Sequence, residues 1–247
     1  MDTHQQRVAT IGLAALEPYG FALAGGYALQ AHGLVTRPSD DIDLFTDQWD
    51  ADRFTEAVQA ATTAWEAEGM HVTVLRRAGT FARITLRHPS GDEVHVDLAA
   101  DARRHAPATM SLGPVINETE AVGSKVAALF SRGEARDYLD VAGILASGRY
   151  HPADLLRLGA DTDPGFRPAI LADALRAIDR YPDREFTRYG LPSPDVTRLR
   201  ATMRRWAEQI DPQLPPPSQT ASPPIPQRRA ATPEPPQPPD PPGLSLG

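Results

Sequence analysis

The stretch Asp41-Ile42-Asp43-Leu44-Phe45 constrains this chain more than any other. Its alternation of acid and apolar residue is the pattern of a half-buried strand, in which residues i and i+2 share a face. Asp41 and Asp43 therefore project together, while Ile42 and Leu44 point the other way into a core. Two carboxylates side by side repel each other, and left alone one would take up a proton. A divalent cation removes that conflict, and hard oxygen ligands suit Mg²⁺ or Mn²⁺.

A third acid stands in a second alternating run, Glu93-Val94-His95-Val96-Asp97-Leu98. The run before it, TFARITLRH, also alternates, and PSGD between them is a turn, so the two runs predict a hairpin. If the strand carrying Asp97 lies beside the one carrying Asp41 and Asp43, three carboxylates converge. Such a set can hold metal ions and activate a hydroxyl for in-line attack on a phosphate, with Asp97 as metal ligand and base. Upstream, Ala24-Gly25-Gly26 sits where a short apolar strand (21–25) meets a two-turn helix closed by Gly33. Glycine lets backbone N–H groups approach an anion closely, and a triphosphate fits such a place.

The remaining pattern fills in an α+β chain: a small mixed sheet with flanking helices, followed by a helical region. Residues 5–17 have helical spacing. Asp50 reads as an N-cap for a helix in which Phe54, Val58, Ala61 and Trp65 recur, and Gly69 ends it. HVTVLRR is a further strand. From residue 119 the chain is almost wholly helical, with breaks near Gly133, Gly148, Pro164, Pro182 and Pro192. The last stretch is proline-dense and lacks apolar periodicity, which predicts a disordered tail able to dock on a proline-reading partner. The boundaries expected are 1–115 for the sheet core, 116–210 for the helical domain and 211–247 for the tail.

Composition narrows the chemistry. With no cysteine, disulfides, zinc–thiolate sites and cysteine nucleophiles are excluded. No secretory signal or membrane-spanning run is read, so the cytoplasm is the expected location and no membrane partner is expected. The net charge of −7 argues against broad nucleic-acid binding, although Arg180, Arg184, Arg188, Arg198, Arg200, Arg204 and Arg205 crowd the later helices. Of the 25 basic residues only Lys125 is lysine. A lone lysine in an arginine-using chain marks a place where a compact ammonium is needed.

These motifs together resemble the AbiEii/AbiGii toxin family within the DNA polymerase β-type nucleotidyltransferases. The resemblance is carried by Gly25-Gly26-x-Ala28-Leu29, His32-Gly33 and Arg37-x-Ser39-x-Asp41-Ile42-Asp43-Leu44-Phe45. It continues through SKVAALFSRGEARDYLDVAGIL and spans roughly residues 15 to 146. It implies a nucleoside triphosphate substrate and a nucleotide moved to an acceptor, with RNA or a tRNA end as the first acceptor. It also implies a type IV toxin–antitoxin or abortive-infection system with a separate antitoxin protein. By the same resemblance Lys125 binds nucleotide phosphate, and Asp137 and Asp140 belong to the active site. The alternative for these two acids is an ion pair with Arg132 or Arg136. Gly25, Gly26, Tyr27, Arg37 and Ser39 fall in the nucleotide-binding motif, where Arg37 and Ser39 either touch phosphate or fix the loop. The sequence departs from the family at Tyr27, where a serine or threonine is common. Two rival readings are an aminoglycoside-type nucleotidyltransferase acting on a small molecule and a non-catalytic module that binds nucleotide or a protein partner.

Overall fold

The alternating runs form one sheet. The computed structural model describes Met1, residues 3–88 and residues 91–210. The proline-rich tail and the first half of the PSGD turn lie outside the described residues. Helix α1 (Thr3–Ala15) leads through a 3₁₀ turn at Glu17–Tyr19 into β1 (Ala22–Leu23), α2 (Gly25–Ala31) and β2 (Asp41–Thr46). Helix α3 (Ala51–Ala67) follows, then β3 (His71–Ala78), β4 (Phe81–Arg87) and β5 (Glu93–Ala100). A short pair, β6 (Ala108–Met110) and β7 (Gly113–Val115), closes the sheet half. The helical half comprises α4 (Glu118–Ser131), α5 (Ala135–Ala146), α6 (Pro152–Thr162), α7 (Pro168–Arg176), α8 (Arg184–Thr187) and α9 (Ser193–Ile210). The described residues fall within one compact unit.

The strand order is β3-β4-β5-β2-β1-β7-β6. Pairing is mixed: β2 runs parallel to β5 and β1 parallel to β7, and the other neighbours are antiparallel. The hairpin at 108–115 was not expected. Its strands are three residues each and one contains Pro114, too short for alternation to register. The 3₁₀ turn likewise replaces the end of the helix expected to reach residue 17, where Pro18 cannot continue the backbone ladder.

One sheet face is apolar. Ile42, Leu44, Ile84, Leu86, Val96 and Leu98 are fully buried there. Helices α1 and α3 pack together with Trp65 between them, and its Nε1–H donates to the Val8 carbonyl at 3.0 Å. A Cβ at Gly12 would lie 2.7 Å from the Trp65 ring, so α1 approaches closely only because residue 12 is glycine. Asp50 caps α3 as expected, accepting from the backbone N–H groups of Asp52 and Arg53, both at 2.9 Å. With one face sealed by apolar packing, every second residue of β2 and β5 faces the opposite side, and there the acids gather.

Candidate active site

The parallel pairing of β2 with β5 sets Asp43 directly opposite Asp97, and Asp41 opposite His95. Since i and i+2 share a face, all three acids lie on the polar side of two adjacent strands, as the alternation predicted. Asp43 is half-buried between them. Burial pushes its carboxyl up to about 6; Lys125 opposes this, and the negative charges of Asp97 and Asp41 add to it.

The two outer acids have arginine partners. Both oxygens of Asp97 accept from Arg83 on β4, at 2.7 and 2.5 Å, and Arg83 is the residue opposite Asp97 in the antiparallel pair. Asp41 receives a longer contact, 3.4 Å, from Arg136 on α5. Among the described residues no three acids or histidines are drawn together as a closed metal cage. The chemistry of the donor set nevertheless fits a hard divalent cation: carboxylate oxygens only, from three acids on one face of two adjacent strands.

Against this face stands the glycine pair. Gly25 opens α2 with φ +60°, a left-handed conformation that residues with a Cβ rarely adopt. A Cβ there would fall on the Asp43 carboxylate itself. Residue 25 is thus glycine on two counts, backbone shape and contact with the acid. Gly26 makes room for Ser39, whose Oγ lies 2.9 Å from where a Cβ would stand. Gly25, Asp43, Ser124, Lys125, Ser131 and Arg132 line one side of a cleft of about 410 Å³.

Lys125 is buried on α4, as are Val126 and Leu129. Its Nζ lies 3.0 Å from Asp140 of α5. Asp140 is fully buried and is gripped a second time by Arg37, whose Nε and Nη2 donate to its two oxygens at 2.7 Å each. Burial raises the proton affinity of Asp140, but Lys125 and Arg37 outweigh it and hold the carboxyl below its ordinary value. Asp137, equally buried, accepts twice from Arg132 at 2.9 Å and from the Glu134 backbone N–H at 3.1 Å. The ion pair with Arg132 is present at Asp137, whereas Asp140 pairs with Arg37 and Lys125, partners not expected from the sequence. Arg136 turns instead towards Asp41.

The loop before β2 is fixed from within. Besides gripping Asp140, Arg37 donates to the Pro38 carbonyl at 2.8 Å, and its own carbonyl accepts from Gln30 at 2.7 Å. The Ser39 hydroxyl donates to the Asp41 carbonyl at 3.2 Å. Tyr27, where the family often has a small hydroxyl residue, turns its side chain into the protein and donates to the Ser39 carbonyl at 2.8 Å. Tyr189, just after α8, completes the staple. The Arg37 guanidinium sits 5.3 Å from its ring centre, and its hydroxyl lies 3.3 Å from Asp40. His32 is engaged with the Ile116 carbonyl at 2.8 Å, and His95 with Thr85 at 3.0 Å.

Sequence reasoning passed over Arg83. The signal was available: counting outward from the turn sets Arg87 opposite Glu93 and Arg83 opposite Asp97. Arg132 entered only as a partner for Asp137, but it also lines the cleft.

Comparison with known proteins finds the same fold elsewhere. Among solved structures, JHP933 from Helicobacter pylori shares the fold at a TM-score of 0.52 and 13% identity, over 84% of this chain and 92% of that one. MenT4, a nucleotidyltransferase toxin from Mycobacterium tuberculosis H37Rv, is similar at a TM-score of 0.53 and 20% identity, over 85% of this chain and 83% of that one. No curated protein sequence matches the chain. The family model described as nucleotidyl transferase AbiEii toxin, type IV toxin–antitoxin system, matches residues 13–231. The chain therefore belongs to the AbiEii family of nucleotidyltransferase toxins.

Proposed function

We propose that this enzyme moves a nucleotide from a nucleoside triphosphate to an RNA acceptor, with Mg²⁺ or Mn²⁺ held by Asp41, Asp43 and Asp97. The observation that carries the reading is the in-register pair Asp43 and Asp97, with Asp41 on the same face and Gly25 pressed against Asp43. Residues 1–115 supply the acids, and 116–210 supply Lys125 and Arg132. The triphosphate lies in the cleft, its charge met by the Lys125 ammonium and the Arg132 guanidinium. The bound cation would offset phosphate charge and acidify the attacking hydroxyl. Asp97 accepts that hydroxyl's proton. The acceptor oxygen forms its bond to the α-phosphorus as the bridging bond to the β-phosphate breaks, and pyrophosphate leaves on the Lys125 side. Asp140 holds Lys125 in place, while Arg37, Ser39 and Tyr27 hold the loop that leads into the metal strand. A separately encoded antitoxin is the expected partner, as the family's type IV toxin–antitoxin systems imply, and the cytoplasm the expected place. Among the described residues no helix is long and apolar enough to cross a membrane.

A small-molecule acceptor is the second reading, and one observation favours it. The arginines of the later helices, the expected RNA surface, are largely paired with acids: Arg200 with Asp183 at 2.6 Å, Arg204 with Asp179 at 2.7 Å, and Arg188 with Asp40 at 3.5 Å. Incubation with Mg²⁺ and each labelled nucleoside triphosphate, first with total RNA and then with aminoglycosides, separates the two. Label entering RNA, and lost in Asp43→Asn, is the expected result. Label entering only the small molecules overturns the RNA acceptor.

A further inference from the structure

Arg83 stands on β4, directly across the antiparallel pair from Asp97. It lies one strand beyond the acids and faces them, and its guanidinium closes both oxygens of Asp97. A forked, two-bond grip of this kind takes up the lone pairs that a cation would use. A guanidinium and a divalent cation repel each other across one carboxylate, so each weakens the other's hold on it. Among the described residues Asp97 is the only hydrogen-bond partner of Arg83.

The grip differs from those in the helical half. The Arg37 side chain is 9% exposed, bonded to Asp140 and stacked on Tyr189, so it has nowhere to go. The Arg83 side chain is 41% exposed. Its head can turn into water without leaving a charge buried, while its stem stays on the sheet. Thr85, its neighbour on the same face, already has a partner in His95. Nothing in the hairpin register competes for the freed guanidinium.

We propose that Arg83 is an internal competitor for the cation at Asp97: it holds the carboxylate in the metal-free protein and releases it when the cation binds. The proposal rests on the cation site read above. It makes the loaded site conditional, because the cation must displace an ion pair that is already formed. A partly exposed forked pair lowers apparent cation affinity by about two- to fivefold. Once released, Arg83 stands on the acid face as a free positive charge beside the attacking hydroxyl.

The test is Mn²⁺ titration by calorimetry on the full-length wild type, Arg83→Gln, Asp97→Asn and the double variant, without nucleotide. Arg83→Gln is expected to bind Mn²⁺ about two- to fivefold more tightly than wild type, and the gain is expected to vanish in the Asp97→Asn background. Arg83→Lys, which keeps the charge but not the fork, should fall between. In the wild type, the Arg83 side-chain Nε–H resonance should be protected from water without metal and exposed with Mg²⁺, a readout that needs no variant to fold. Equal or weaker Mn²⁺ binding by folded Arg83→Gln, or an Nε–H signal that stays protected with Mg²⁺, overturns the competition alone. Binding by neither wild type nor Arg83→Gln overturns the cation site as well.

Discussion

The sheet half and the helical half each bury acids near the cleft, and they treat them in opposite ways. On α5, Asp137 and Asp140 are fully buried, and each is met by two charged or hydrogen-bonding partners. On β2, Asp43 sits among two other carboxylates with its proton affinity raised. The helical pattern neutralises its charge internally and needs nothing from outside. On the strands Arg83 meets Asp97 and Arg136 approaches Asp41, while among the described residues Asp43 makes no ion pair and is raised chiefly by burial. Acids of one type beside one cleft thus differ in how directly a cation of the protein holds them, Asp140 by two and Asp43 by none in an ion pair among the described residues.

The sharpest way to break this contrast is to neutralise one acid from each half. Asp43→Asn should lower nucleotide transfer by at least about a thousandfold, roughly 4 kcal/mol in the barrier, while thermal stability at pH 7 holds or rises. Asp140→Asn should do the reverse to the fold. It leaves Arg37 and Lys125 buried without their shared counter-ion, at a cost of about 3 kcal/mol or more in denaturant unfolding. Equal losses of stability in the two variants would erase the distinction.

Substitution at the glycine probes the same site with a smaller effect. Gly25→Ala forces a Cβ onto the Asp43 carboxylate and strains a left-handed backbone, which costs about 1–2 kcal/mol in stability. Transfer activity should fall more than stability does, because the displaced group is the acid. A variant of unchanged activity would mean that Asp43 can sit elsewhere.

The two halves should also respond to pH with opposite signs. Asp43 binds its proton more tightly folded than unfolded, so its contribution to stability is full below pH 3.8 and is lost as pH rises towards 6. Asp140 is shifted down, so its contribution is present above the ordinary carboxylate value and is lost as pH falls through its lowered one. Cation affinity should follow Asp43, falling about tenfold per pH unit below 6 as protons compete for the site. Mn²⁺ titrations from pH 5 to 8 check this, and affinity flat across that range counts against Asp43 as a ligand. The smallest effect belongs to the exposed pairs of the late helices. Arg204→Ala should change stability by less than about 1 kcal/mol despite its 2.7 Å contact with Asp179.

Much of this was readable in advance because strands repeat every two residues. The alternation in 41–45 and 93–98 put the acids on one face, and the apolar half of each pattern became the core. The parallel neighbour relation of β2 and β5 was not readable in the same way. It depends on β1 and the 108–115 pair completing the sheet on the other side, and strands of two or three residues carry no periodic signal. The helical acids were harder still. Asp137 and Asp140 share a face at helical spacing, but their partners include Arg37, about a hundred residues away, and nothing local in Arg37-Pro38-Ser39 announces a partner on α5. Family likeness alone drew these acids to the active site; the structure pairs Asp140 with Lys125 and Arg37, and Asp137 with Arg132.

The staple formed by Tyr189 has a genetic consequence. Asp41, Asp43 and Asp97 all lie in the first 97 positions, yet the loop that delivers two of them rests on a ring encoded 149 positions after Asp40. A premature stop between codons 98 and 189 spares the acids and removes their support. For the gene of a toxin, that makes a long downstream stretch a target for mutations that let a host escape.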